Sequence, residues 1–379
     1  MNNDLFGAAP LAPPTSADEA VRWLQLFRSR RVGPATFYRL LVEHGSAGAA
    51  LLALPEVARA SGVRDYQCFD PVQAEQEYRA GKRAGYSLIC AGTAQYPAGF
   101  ADISDMPPVF WARGRLELLK SPMLAIVGAR NASSLGTRMA RKLGDDLGQA
   151  GFTVVSGLAR GVDAAAHLGA LPHGTIAVMA GGVDVIYPAE NAELATKIAT
   201  GGLIISEQPL GLHPQARHFP QRNRLISGLS KATLVIEAAL KSGSLITARN
   251  AADQGRDVLV VPGHPFDGRS GGCNALIRDG ATLIRGASDV VEAVGTASPA
   301  EDLPPPKALQ TPEVATAIAP QTGDIQSHIM ALLSISPTPE DQLIRDLNLP
   351  SATVSAKLLD LELDGAITRQ SGGLLARAL

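Results

Sequence analysis

The feature that most constrains this chain is an alternation that begins near Tyr86. Short, continuous apolar runs follow one another: Ser87–Cys90, Met123–Val127, Thr153–Val155, Ile176–Met179, Leu203–Ile205, Thr233–Ile236, Val258–Val261 and Thr282–Ile284. Between them lie stretches of helical periodicity at 137–149, 161–170, 191–199 and 244–254. A strand that is apolar at every residue is buried on both faces, and strands separated by helices pair in parallel. The pattern predicts an α/β domain over 85–295, a parallel sheet with helices on both sides.

The flanks have a different texture. In 17–84, Val21, Leu24 and Phe27 recur at three-residue spacing, and Phe37, Leu40 and Leu41 mark a second apolar face. Gly33-Pro34 between them ends one helix and starts the next. This predicts a small helical domain of the SAM or helix-hairpin-helix type. Such a module either packs against a neighbour or grips a phosphate through its Gly amides. Residues 1–16 are polar and Pro-rich and predict a disordered N-terminus; 296–322, with Pro304-Pro305-Pro306, predict a linker. In 323–379 the order helix (324–333), helix (339–347), helix (351–363), then two strands around Ser371-Gly372-Gly373 suggests a winged helix.

In a doubly wound sheet, ligands collect beyond the carboxyl ends of the strands. There the sequence reads Gly128-Ala129-Arg130, then Ser156-Gly157-Leu158-Ala159-Arg160-Gly161-Val162-Asp163, then Gly181-Gly182-Val183-Asp184. Small residues admit a close backbone approach, helix amides favour an anion, and Arg130 offers a planar fork to phosphate. The spacing is neither G-x-G-x-x-G nor G-x-x-x-x-G-K-[ST], so a dinucleotide or nucleoside triphosphate site is poorly supported. Asp163 and His167 fit a helix cap and a packed histidine, and Asp184 fits a residue that holds its turn.

Charge separates the ligand classes. The whole chain has 34 Lys and Arg against 36 Asp and Glu, which speaks against a polyanion as partner. Within 217–256, however, Arg217, Arg222, Arg224, Lys231, Lys241, Arg249 and Arg256 face only Glu237 and Asp253, an excess of five positive charges. Phe219-Pro220-Gln221-Arg222-Asn223-Arg224 reads as a turn entering a helix, and Lys241-Ser242-Gly243-Ser244 as a phosphate-sized turn. Several such subsites along one edge suit a polyanion better than a single nucleotide. From 324 onward the balance is three charges negative, and the expected recognition helix at 351–363 carries one lysine. That module predicts protein contact or regulation rather than duplex reading. Cys68, Cys90 and Cys273 are widely spaced with no C-x-x-C pair, which excludes a disulfide framework and leaves no zinc pattern. No apolar run reaches the roughly 18 residues of a membrane span. The expectation is a cytoplasmic protein without metal or cofactor.

Taken together, these motifs resemble the DprA (Smf) family of DNA-processing proteins. The residues that carry the resemblance also include Tyr96-Pro97, Pro107-Pro108, Tyr187-Pro188, Leu225–Ser230, Pro262-Gly263 and Asn274–Ala281, in the family's order. The resemblance implies an extended Rossmann-like fold that binds single-stranded DNA without sequence preference, protects incoming strands in natural transformation and helps load the RecA recombinase, as a homodimer. Carried over by position, Gly128, Arg130, Ser156, Gly157, Arg160, Gly181, Gly182, Arg222, Asn223, Arg224, Lys241, Ser242, Gly243 and Ser244 bind the strand. Leu276, Ile277 and Ile284 fall in the region such proteins use to dimerise. Aromatics are sparse, with only Phe219 in the basic cluster, so phosphate contacts are expected to dominate.

One rival is a nucleotide-processing enzyme of the nucleoside monophosphate ribohydrolase type, with Glu237 as acid or base. Its Gly-Gly-x-Gly loop is missing here, and Lys241 stands in that turn. A second rival is a protein adaptor whose basic patch binds nothing.

Overall fold

Residues 12–297, 325–333, 338–347, 349–370 and 373–378 are described by the computed structural model. The expected disorder of 1–16 falls for residues 1–11 outside the described residues, and the expected linker does so from 298 onward.

Four helices come first: α1 (Ala17–Arg28), α2 (Pro34–His44), α3 (Ala47–Ala60) and α4 (Pro71–Arg83). Ser16 caps α1 by accepting from the Glu19 amide at 3.2 Å, and Asp70 caps α4 by accepting from Val72 at 2.8 Å. Gly45, in the left-handed region at φ +74, ends α2.

The α/β part follows as β1 (Ser87–Cys90), α5 (Ala98–Ala101), β2 (Val109–Gly114), β3 (Met123–Gly128), α6 (Ser134–Gln149), β4 (Thr153–Ser156), α7 (Val162–Ala170), β5 (Thr175–Val178), α8 (Ala192–Gly201) and β6 (Leu203–Ser206). It continues with α9 (His218–Leu229), β7 (Ala232–Ile236), α10 (Ser244–Asp253), β8 (Asp257–Val260), α11 (Gly271–Arg278), β9 (Thr282–Leu283) and α12 (Ala287–Val294). The strands form one nine-stranded sheet, ordered β1-β2-β6-β5-β4-β3-β7-β8-β9. From β6 to β9 every pairing is parallel, as the apolar runs predict.

Two features depart from the sequence reading. The sheet is mixed, because β1 and β2 pair antiparallel with each other and β2 pairs antiparallel with β6. Strand β2, Val-Phe-Trp-Ala-Arg-Gly, has no matching apolar run in the expected set: Pro107-Pro108 before it and Arg113-Gly114 at its end mask the signal.

Alternation along the strands makes two cores. Met123, Ala125 and Val127 of β3 pack into one with Ile176, Val178, Leu225 and Ile226; Leu124 and Ile126 pack into the other with Leu143, Leu147, Val154 and Ile284.

By contact, Met1–Leu52 and Gln67–Pro299 make one compact unit. A buried clamp inside it joins the first helices to the sheet. Arg28 donates to both carboxylate oxygens of Glu77 (2.9 and 3.1 Å) and to the backbone carbonyl of Glu207 (2.9 Å), and Trp111 Nε1 donates to Glu77 (2.8 Å).

The second unit groups Ala53–Tyr66 with Ala300–Leu379. Its described C-terminal elements are α13 (Ile325–Leu332), β10 (Thr338–Pro339), α14 (Glu340–Leu347), α15 (Ser351–Leu363), β11 (Ile367–Gln370) and β12 (Leu374–Arg377), a winged helix around Ile329, Leu343, Val354 and Leu358. Of the expected Ser371-Gly372-Gly373 turn, only Gly373 is described.

Candidate nucleic-acid interface

The parallel strands direct their carboxyl ends to one edge, and the loops after β3, β4, β5, β7 and β8 meet there. At this edge Arg130, exposed after β3, lays its guanidinium over the Phe219 ring at 5.1 Å from the centroid. Tyr187, 49 % exposed, lies tilted against that ring with centroids 5.8 Å apart. Phe219 sits in the first turn of α9 and Tyr187 in the connection after β5, so the fold makes an aromatic pair from residues far apart in sequence. Linear spacing gives no signal for such a pair.

The neighbouring arginines of α9 turn inward. Arg224 is buried: its Nη2 donates to both Glu207 carboxylate oxygens at 2.6 Å, its Nη1 to the Asp105 carbonyl at 2.6 Å, and its Nε lies 3.2 Å from the Asp105 carboxylate. Burial alone would lower its pKa, but Glu207 and Asp105 outweigh that and hold it above the ordinary value. Its fork is committed to protein carboxylates, which corrects its expected place in a strand-binding groove. Arg222 is buried too, its pKa pulled down to about 10 by burial. Nε and Nη1 of Arg222 have no hydrogen-bond partner among the described residues. The guanidinium fills the space left by Gly157, where a Cβ would fall 1.3 Å from Nη1. Asn223, half-buried between them, donates to the Gly243 carbonyl at 3.4 Å.

Below Arg222 lie two buried titratable groups. Asp163 accepts from the Gly157 and Ala159 amides (3.1 and 3.4 Å), and burial raises its pKa. His167 Nδ1 lies 2.7 Å from Thr175 Oγ1, whose hydroxyl donates to the Val154 carbonyl at 2.8 Å. The hydroxyl proton is therefore engaged, so Nδ1 carries the imidazole proton and donates it. Burial, then the charge of Arg222, lowers the His167 pKa to about 3. His167 is thus a neutral, packed histidine.

The strand-end glycines make room for the chain itself. A Cβ at Gly128 would lie 1.9 Å from the Ile236 carbonyl, at Gly181 2.6 Å from the Leu212 carbonyl, and at Gly182 2.6 Å from the Pro209 carbonyl. Ser156 donates to the Ile126 carbonyl (2.6 Å), Arg160 pairs with Glu190 in the open (2.7 Å), and Asp184 holds the Gly211 amide (2.9 Å).

The anion position at the start of α6 is filled from within. Ser133 caps α6 by accepting from Gly136 at 3.0 Å. The Glu237 carboxylate in turn accepts from the Ser133 amide at 2.8 Å and from the Ser133 hydroxyl. Glu237 holds φ +50, a conformation costly for a residue with a Cβ. This corrects the expectation of a free anion site there.

After β7, Lys241 is exposed and has no carboxylate partner among the described residues. Ser242 and Ser244 hydrogen-bond each other at 2.7 Å, and nothing lies within 4 Å of a Cβ placed at Gly243. Topology therefore divides the basic run of 217–256. Arg217 and Lys241 stand at the carboxyl edge, Lys231 and Arg256 precede β7 and β8 at the opposite edge, and Arg256 is tied to Asp102 at 2.9 Å.

Of the expected dimer contacts, Ile284 is fully buried in the sheet core, which removes it from any surface. Leu276 and Ile277 are partly buried and pack on the other core layer. The exposed large apolar residue of that segment is Leu283 on β9, at the sheet edge. Among the described residues, no cluster of His, Cys, Asp and Glu could hold a metal ion, and no helix is long and apolar enough to cross a membrane.

Fold and site together define an extended Rossmann-like α/β protein with helical and winged-helix modules. The chain belongs to the DNA recombination-mediator protein A family, which it matches over residues 87–295. It matches the DprA-like N-terminal HHH domain over 17–80 and the DprA winged helix domain over 312–373. The DNA processing protein DprA of Streptococcus pneumoniae is 38 % identical over 262 residues, covering 66 % of this chain and 90 % of that protein. Protein Smf of Synechocystis is 34 % identical over 395 aligned residues, covering 93 % and 98 %. The X-ray structure of the Streptococcus pneumoniae protein superposes with a TM-score of 0.61 at 33 % identity, covering 74 % of this chain and 99 % of that one. A structure of Helicobacter pylori DNA processing protein A, described for its single-stranded DNA binding mode, gives 0.51 at 32 % identity, covering 55 % and 94 %.

Proposed function

We propose that this chain binds single-stranded DNA without sequence preference at the carboxyl edge of its sheet. The observation that carries the reading is the Arg130–Phe219–Tyr187 arrangement, in which Arg130 and Tyr187 are exposed and Phe219 is half-buried between chain segments. The exposed Tyr187 ring and the planar Arg130 guanidinium are faces on which any base can stack, and the guanidinium also reaches a phosphate. Lys241 and Arg217 extend the cationic line along the same edge. The Helicobacter pylori relative, described in terms of its single-stranded DNA binding, supports the reading.

The reading extends to protection of incoming strands and loading of the RecA recombinase in natural transformation, in the cytoplasm. Self-association as a homodimer is placed around Leu276, Ile277 and the exposed Leu283. The protein has no enzymatic role in this reading: the Glu237 carboxylate is engaged by Ser133 rather than turned to a substrate. The winged helix has a protein-contact role. Its described bases are paired internally, Lys357 with Asp360 (2.9 Å) and Arg369 with Glu340 (2.6 Å), which leaves them little for a duplex.

A salt titration with labelled oligo(dT) and a matched duplex tests this. Three phosphate contacts on a single strand give a slope near −2, so affinity falls about twenty-fold between about 50 and 200 mM salt. Equal, weak binding of both nucleic acids at low salt would leave the adaptor reading.

A further inference from the structure

The loop after β8, Pro262–Ser270, stands at the same edge and carries the most exposed large apolar side chain among the described residues, Phe266 at 95 %. The loop is built. The Asp267 amide donates to the His264 carbonyl and the Ser270 amide to the Asp267 carbonyl (both 2.9 Å), and Asp267 holds Arg269 Nε at 3.1 Å. The Phe266 amide donates to His264 Nδ1 at 3.3 Å, and the two rings lie 5.6 Å apart at 37°. The loop backbone thus presents the phenyl ring to solvent with the His264 ring as its neighbour.

Its surroundings are those of a strand-binding edge. The loop leads into α11, whose Gly272 amide donates to the Ala238 carbonyl at 2.7 Å, so it lies beside the turn that carries Lys241. Leu240, 69 % exposed, reaches towards Gly271, 3.4 Å from a Cβ placed there. Strand order puts this loop two strands beyond Arg130, about 10 Å along the edge at ordinary strand spacing. A small aromatic pair with an exposed lysine and an open Ser-Gly-Ser turn in the neighbouring loop suits one base and its phosphate. A protein partner would need a wider apolar face.

We propose that Phe266, backed by His264, is a second base-stacking platform, which engages the nucleotides that run past Lys241 from the Arg130–Phe219–Tyr187 site. The proposal rests on the single-strand reading above.

The test uses the full chain with Phe266→Trp. Both native tryptophans are buried, Trp23 at 4 % and Trp111 at 0 % exposure, so the introduced indole alone emits from water and is open to acrylamide. Oligo(dT) is expected to quench that emission and shield it from acrylamide. Phe266→Ala is expected to weaken binding of a long oligo(dT) about tenfold, with Phe266→Tyr close to wild type. An unchanged indole in a protein whose binding is plain from oligonucleotide anisotropy would overturn the platform alone. Shielding without DNA that grows with protein concentration would overturn it in favour of a second copy of the chain. No anisotropy change at all would overturn the reading of the whole edge, and the platform with it.

Discussion

Arg130 and Arg224 stand at the same edge of the sheet, and the fold uses them in opposite ways. Arg130 keeps its charge in solvent over an aromatic ring, whereas Arg224 is buried between two carboxylates. Arg224→Ala leaves Glu207 buried without its partner, and urea unfolding should show a loss of about 3–5 kcal/mol. Arg130→Ala should unfold within about 0.5 kcal/mol of wild type, as exposed substitutions do. It should still weaken binding of single-stranded oligonucleotides to a similar extent whatever their sequence. If Arg130→Ala lowers stability as much as Arg224→Ala, the two roles drawn here are wrong. His167 adds a pH signature. Its folded pKa of about 3 lies below the ordinary 6.5, so the unfolded chain binds the proton more readily between those values. The contribution of neutral His167 is complete above about pH 6.5 and is lost as pH falls towards 3, by about 2 kcal/mol at pH 5. Unfolding of wild type and His167→Gln at pH 7 and pH 5 checks this: the gap between them should narrow at the lower pH.

At the scale of elements, the start of α6 shows why the sequence was readable only in part. The apolar runs gave the parallel strands, because burial on both faces leaves a local record in every residue. The Gly-rich strand ends were equally visible, but what fills them was not. Arg222 occupies the space at Gly157, and Glu237 reaches Ser133 from another strand. Both are contacts between segments distant in sequence, which no local pattern encodes. Strand β2 was missed for a different reason: its apolar run, Val109 to Ala112, is short and framed by Pro107-Pro108 and Arg113-Gly114, which read locally as a turn and a strand end. Glu237→Ala removes the acceptor behind the α6 cap and should cost about 1–2 kcal/mol in urea unfolding. An unchanged midpoint would mean that Ser133 holds the helix start unaided.

At the scale of the molecule, net charge misleads because topology redistributes it. The basic run of 217–256 places Arg222 and Arg224 inside and Lys231 and Arg256 at the far edge, so few of its cations can meet a ligand together. Arg130, from another part of the chain, joins those that remain. The expected salt slope is accordingly modest, near −2 rather than the value of a seven-cation contact. Glu237 has a further consequence. Free nucleotides in a cell carry the same phosphate and the same rings as a nucleic-acid strand. A vacant start of α6 would be one place at this edge where a single terminal phosphate could settle. With a resident carboxylate there, a free nucleotide meets only spaced, individually weak contacts. On the proposed reading a polymer engages those contacts in series, so selection against the monomer would come from a seat already taken.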